Sequence, residues 1–122
     1  MINDLTVSNF WNTVRDDSDY LHIVFAYGQG CGPCANTKPK YEMVANYFGK
    51  MNAKIHFHNI NVWAEENRPV GHELGVKVVP SFFGFFNGNN LWMTSGALDS
   101  AAQKNAIMSV IDNIYTNFGV KI

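Results

Sequence analysis

Cys31-Gly32-Pro33-Cys34 holds the only two cysteines in the chain, two residues apart. Thiols at this spacing can share a metal ion or exchange disulfides with another molecule. A tetrahedral zinc site needs four ligands, and no second Cys-x-x-Cys and no Cys/His pair at ligand spacing accompanies this one. The histidines, His22, His56, His58 and His72, are scattered. His56 and His58 share one strand face, where hydrogen-bonded imidazoles are expected rather than a metal site. Redox exchange is the chemistry expected at Cys31 and Cys34, with no metal.

A dithiol needs a platform. The apolar run Leu21 to Tyr27 leads in through Gly28-Gln29-Gly30, and a helix-like stretch, Ala35 to Phe48, leads out. Strand, glycine turn and helix place the cysteines at a helix N-terminus. Pro39 lies inside that helix and predicts a kink, and Gly49 predicts its stop. Lys38 and Lys40 read as a solvated helix face.

Elsewhere, Leu5-Thr6-Val7 predicts a short edge strand. Ser8 predicts the N-cap of a helix from about Asn9 to Asp16. Lys54 to Val62 alternates as a strand. Glu65 to Leu74 is expected as a short helix or irregular segment, broken by Pro69 and Gly71 and closed by Gly75. Pro80 opens a strand from Ser81 to Phe86. Asn87-Gly88 is a hairpin turn, and Leu91 to Ser95 is the return strand. Asp99 or Ser100 caps a last helix to about Phe118, with Ile107, Val110, Ile111, Ile114, Tyr115 and Phe118 as its apolar stripe and Gly119 as its stop. The order β-α-β-α-β-α-β-β-α predicts an α/β fold: a mixed sheet of four to five strands flanked by about four helices.

Composition limits the roles this frame can serve. The 122 residues are 47% apolar and 16% charged, with a net charge of −1, which suits one folded domain over 1–122. No basic stripe offers itself to nucleic acid. No apolar run approaches the roughly 20 residues of a membrane span. Met1-Ile2-Asn3-Asp4-Leu5 lacks the basic and apolar regions of a signal peptide. A soluble, cytoplasmic protein is expected, where a lone Cys-x-x-Cys is more often catalytic or metal-binding than structural. The Phe82 to Phe86 aromatics are expected in the sheet core, and Trp63 and Trp92 in ordinary packing.

Together these motifs resemble the thioredoxin family over nearly the whole chain. Cys31-Gly32-Pro33-Cys34 is identical to the family's active-site tetrapeptide, and Pro39 stands where thioredoxins carry their helix proline. Val79-Pro80-Ser81 is similar to the apolar residue, cis-proline and small hydroxyl of the family. Phe85-Phe86-Asn87-Gly88 resembles its hairpin, and Gly96-Ala97 its glycine loop. The resemblance implies the thioredoxin fold and a protein-disulfide reductase. Cys31 would be the nucleophile, its thiolate favoured by converging helix amides, which lower a thiol below the ordinary value of about 8.5. Cys34 would be the resolving thiol. Pro33, with Gly32, starts the helix and limits the drift of the sulfurs. Tyr27, Gly30, Val79, Pro80, Gly96 and Ala97 would meet substrate, with the Val79 backbone pairing to an extended chain. No cofactor is implied beyond the redox-active disulfide. An external reductase of the thioredoxin-reductase kind would recycle it. Disulfide-containing proteins would be the substrates, and a monomer is expected.

Four positions depart from the family. Gly30 precedes Cys31 where a tryptophan is usual, and Tyr27 takes the place of another tryptophan. Phe25 stands where the family buries an aspartate beneath the second cysteine, and Phe57 where its lysine partner would be. Losing both members of a charge pair is self-consistent, since losing one leaves a buried unpaired charge. Resolution would then rely on water or on the Cys31 leaving thiolate, and run slower near neutral pH. These departures keep a second reading open: a thioredoxin-fold binding or accessory module with an incidental dithiol.

Overall fold

The computed structural model describes residues 1–122. The elements are β1 (Ile2–Leu5), α1 (Phe10–Val14), β2 (Leu21–Tyr27), α2 (Gly32–Lys50), β3 (Ile55–Asn61), a 3-10 turn (Glu65–Asn67), α3 (Arg68–Leu74), β4 (Ser81–Phe86), β5 (Asn89–Ser95) and α4 (Ser100–Phe118). The five strands form one sheet in the order β1-β3-β2-β4-β5. β3 runs parallel to both β1 and β2. β4 is antiparallel to β2 and to β5. The mixed sheet expected from the element order is therefore present, with helices on both faces.

Alternation along β2 divides the core. Leu21, Ile23 and Phe25 face α2 and α4 and join Tyr41, Phe48, Ile107 and Ile114. Val24 and Ala26 face the other way and join Phe10, Val14, Val70 and Leu74. Side chains on a strand alternate between faces, so one continuous apolar run feeds two cores. The Phe82, Phe83, Phe85 and Phe86 side chains are buried.

Several boundaries differ from expectation, each for a local reason. The first strand is Ile2–Leu5 rather than Leu5–Val7 because Thr6 turns the chain: its carbonyl accepts from the amides of Asn9 and Phe10. Ser8 does not cap α1. Asn9 is the N-cap, its Oδ1 accepts from the Thr6 amide, and Ser8 Oγ pairs with Thr6 Oγ1. Gly49 does not stop α2, which continues to Lys50; the left-handed residue beyond the end is Asn52 (φ 54°). Pro69 and Gly71 do not break α3, because Pro69 sits in its first turn, where the missing amide is tolerated. On α4, Ile107, Val110 and Ile114 are buried, while Tyr115 and Phe118 are half-exposed, so the stripe is narrower than it reads.

Buried histidines link three strands. His22 Nε2 is 3.1 Å from Asp16 Oδ2, and His22 Nδ1 is 2.9 Å from His58 Nε2. Asn3 Nδ2 is 3.4 Å from His58 Nδ1. A one-way chain satisfies every contact with both rings neutral: Asn3 donates to His58, His58 to His22, and His22 to the Asp16 carboxylate. An added proton would set N–H against N–H. Burial holds His58 down to about 3, helped by the His22 and His56 charges and opposed by Asp16. Burial also lowers His22, against the pull of Asp16. Both histidines bind protons in the unfolded chain below about 6.5. Their contribution is therefore full above that value and lost as the pH falls below it, for His58 down toward 3. Stability is expected to fall by on the order of 1 kcal/mol per pH unit over that window. Urea unfolding at pH 7, 6, 5 and 4 measures this, and His58→Gln should flatten the acid limb.

Candidate active site

The dithiol sits where β2 passes into α2. Cys31 is the N-cap of α2, with Pro33 in the first turn. The Cys34 amide donates to Cys31 Sγ at 3.1 Å. The two cysteines are joined as a disulfide, with Cα atoms 5.2 Å apart. Thr37 Oγ1 donates to the Pro33 carbonyl at 2.8 Å and ties the first turn together. An anionic sulfur at Cys31 would lie on unpaired amides at the positive end of a 19-residue helix. Cys31 is 8% exposed and Cys34 3%. Cys31 is therefore the more accessible sulfur of the pair.

The remaining expected residues gather around this pair. The Val79–Pro80 peptide is cis. The Val79 carbonyl oxygen lies 3.9 Å from Cys31 Sγ. Two contacts hold that loop: Ser81 Oγ donates to the Val78 carbonyl at 2.7 Å, and the Gly96 amide donates to the Pro80 carbonyl at 2.9 Å. The second brings Gly96 and Ala97 beside Pro80. Gly32 and Pro33 are exposed at the helix start. Gly30 has φ 89° and open space where a Cβ would stand. The left-handed backbone, not crowding, accounts for glycine in place of tryptophan.

A cleft of about 370 Å³ opens behind the dithiol, lined by Phe25, Tyr27, Cys31, Cys34 and Lys38 among others. None of its lining residues is an acid. Phe25 packs on Tyr41 at 5.0 Å and Phe82 at 5.4 Å, and Phe57 packs on Tyr41 at 5.7 Å between ring centroids. The Tyr41 ring thus contacts both aromatic replacements. Its hydroxyl donates to the His58 carbonyl at 2.8 Å and accepts from the His58 amide at 3.2 Å, and burial pushes its ionisation well above the ordinary tyrosine value, the amide donor opposing. Burial, with the Asp4 charge, also raises Tyr27. No group of three or more His, Cys, Asp or Glu side chains is arranged to hold a metal ion.

Two features of the site were not read from the sequence. Trp63 is half-exposed and lies flat over Gly28, where an added Cβ would fall 2.1 Å from the ring. It forms one wall of a groove of about 300 Å³ that reaches Val79. That contact joins distant parts of the chain and leaves no local signal. Lys38, read as solvated, is exposed but lines the Cys34 cleft. Its spacing of four residues from Cys34 was the available clue.

A thioredoxin family model matches residues 1–113. Among curated relatives, the chain is 32% identical over 98 residues to Thioredoxin-like protein 1 of Schizosaccharomyces pombe, covering 80% of this chain and 32% of that protein. It is 30% identical over 82 residues to chloroplastic Thioredoxin F2 of Arabidopsis thaliana, covering 66% and 41%. The chain thus spans about a third to two-fifths of these relatives. Among solved structures, thioredoxin from Trypanosoma brucei brucei superposes with a TM-score of 0.78 at 20% identity, covering 92% of each chain. A complex of ferredoxin:thioredoxin reductase and thioredoxin f2 contains a match with a TM-score of 0.75 at 22% identity, covering 92% and 93%. At these identities the structures speak for the fold. A family match over nearly the whole length, on a sheet and dithiol of this geometry, means that the chain belongs to the thioredoxin family.

Proposed function

We propose that the protein is a thiol–disulfide oxidoreductase that reduces protein disulfides. The observation that carries this is the Cys31–Cys34 pair at the N-terminus of α2, with the Cys34 amide on Cys31 Sγ. The reduced Cys31 thiolate attacks one sulfur of a substrate disulfide. A Cys31–substrate disulfide forms, the substrate S–S bond breaks, and the departing thiolate takes a proton. Cys34 then loses its proton and attacks Cys31 Sγ. The intramolecular disulfide forms, and the second substrate thiolate leaves and is protonated. Two electrons pass to the substrate, and a reductase must return them. The complex of a thioredoxin f2 with ferredoxin:thioredoxin reductase supports an electron donor of that general class. Cytoplasmic action as a monomer, with the redox-active disulfide as sole prosthetic chemistry, completes the reading. The dithiol needs a reducing pool to turn over.

Tyr27, Gly30, Val79, Pro80, Gly96 and Ala97 form the proposed substrate surface. Trp63 extends it as an aromatic wall. Trp63→Ala is expected to raise KM for a protein substrate about fivefold, as loss of an interfacial aromatic does, and to leave kcat/KM for a small aromatic disulfide unchanged. Equal effects on both would remove Trp63 from the surface.

The functional reading is tested by insulin reduction in dithiothreitol. The protein at micromolar concentration should accelerate precipitation of the freed insulin chains over dithiothreitol alone. No acceleration would favour the second reading, a binding module with an incidental dithiol. The altered positions Phe25, Tyr27, Gly30 and Phe57 are what keep that reading in view.

A further inference from the structure

The dithiol cleft lacks an acid but carries a cation. Lys38 follows Cys34 by four residues on α2, and both line the cleft. Residues four apart on a helix are surface neighbours, and helical side chains lean toward the N-terminus, so the Lys38 stem is carried toward Cys34. Lys38 Nζ lies 5.8 Å from the centroid of the Tyr27 ring, which stacks at 5.9 Å on Phe25. The ammonium therefore stands over the aromatic wall of the cleft. It has no carboxylate within 4.0 Å, since the ion pairs at that distance are Arg15–Glu73 and Asp16–His22. The other ionisable groups nearby are the Tyr27 phenol, in the cleft, and Asp4 and Glu42, which line a separate recess alongside Lys38. Asp4 Oδ1 is engaged by Asn59 Nδ2 at 3.2 Å.

We propose that Lys38 is the electrostatic partner of Cys34, its ammonium stabilising the Cys34 thiolate on which resolution of the mixed disulfide depends. The proposal rests on the dithiol-exchange reading and specifies how that exchange proceeds without the family's buried acid. Cys34 gives its proton to water, its sulfur attacks Cys31 Sγ, and the bond from Cys31 to the substrate sulfur breaks. Lys38 exchanges no atom and no electron. It lowers the free energy of the anion in a cleft walled by Phe25 and Tyr27, where a cation acts more strongly than in open water. Tyr27 steers it there through its ring face.

The test is a thiol titration. In a Cys31→Ser background Cys34 is the sole thiol, and the pH dependence of its alkylation by iodoacetamide gives its ionisation directly. Lys38→Gln should move the midpoint up by about 0.4 pH units, and Lys38→Glu by about 0.8, the size of single-charge effects between helix neighbours. At pH 7 these shifts are roughly 2.5-fold and sixfold losses of thiolate. Lys38→Arg should hold the wild-type midpoint, and 1 M salt should shrink the differences. Midpoints within 0.1 unit across all four proteins would overturn the proposal. So would an Arg variant that shifts as far as Gln, because packing would then be the cause. The titration involves no substrate, so an inactive wild-type protein would defeat the functional reading without touching this result.

Discussion

Cys31→Ser is expected to abolish the proposed disulfide reduction, leaving only the rate of the chemical reductant, a loss of at least about a thousandfold. The reason is geometric as well as chemical. Serine at the N-cap still accepts the Cys34 amide, so α2 keeps its start. The hydroxyl is not ionised near neutral pH and cannot form the mixed disulfide. Cys34, 3% exposed, is the wrong sulfur to replace it. Cys34→Ser gives a different phenotype. Cys31 still attacks, the adduct is not resolved, and a covalent complex of enzyme and substrate accumulates. Stopped turnover with trapping in one variant and without it in the other fixes the order of events. Insulin reduction and mass spectrometry of the adduct read both. Residual turnover in Cys31→Ser above one-tenth of wild type would remove Cys31 as nucleophile.

Phe25→Asp, the change that restores the family's acid, is expected to destabilise this protein by about 4 kcal/mol or more. The substitution removes a fully buried ring packed on Tyr27, Tyr41 and Phe82. Ring removal alone is worth about 3–5 kcal/mol, and a carboxylate without a partner adds its desolvation. A marginal domain has about 5–15 kcal/mol in total, so the variant should be close to unfolding at pH 7. The pH dependence has a definite sign. Burial raises the new carboxyl in the folded state, so the penalty is small below its unfolded value of about 4 and grows as the pH rises through the raised one. Relative to wild type the variant should therefore be more stable at pH 4.5 than at pH 7.5. Phe25→Leu, which keeps an apolar side chain, should lose only about 1 kcal/mol and show no such dependence. Urea midpoints at the two pH values decide this. A pH-independent loss below about 1 kcal/mol would mean that the cleft already accommodates charge.

What could be read from residues alone follows from the range of the interactions involved. The element order was legible because its signals are local: the unbroken run Leu21–Tyr27, the Asn87-Gly88 turn, and Gly75 and Gly119 as left-handed stops. The meeting of Cys31, Cys34 and the cis Val79–Pro80 peptide was legible because a motif imposes it. The failures share a different origin. Gly49 read as a helix stop because glycine is permissive, but permission is not compulsion, and the last turn of α2 continues to Lys50. Trp63 meets Gly28 across the strand ends, and Asp16, His22 and His58 meet across three segments. Neither contact has a period or a spacing to detect. The replacement of Asp and Lys by Phe25 and Phe57 was visible, but not the Tyr41 ring that packs on both. Lys38 reads as part of a solvated helix face, and its approach to the Tyr27 ring leaves no mark in the sequence.

The dithiol is proposed to exchange disulfides in a cleft lined by no carboxylate. The pH–rate profile of insulin reduction by the wild-type protein, measured between pH 5 and pH 9, tests it most directly. The rate should rise with thiol ionisations alone, with activity still climbing above neutral pH. A further titration of carboxylate character, shifted upward and lost on alteration of an acidic residue, would contradict it.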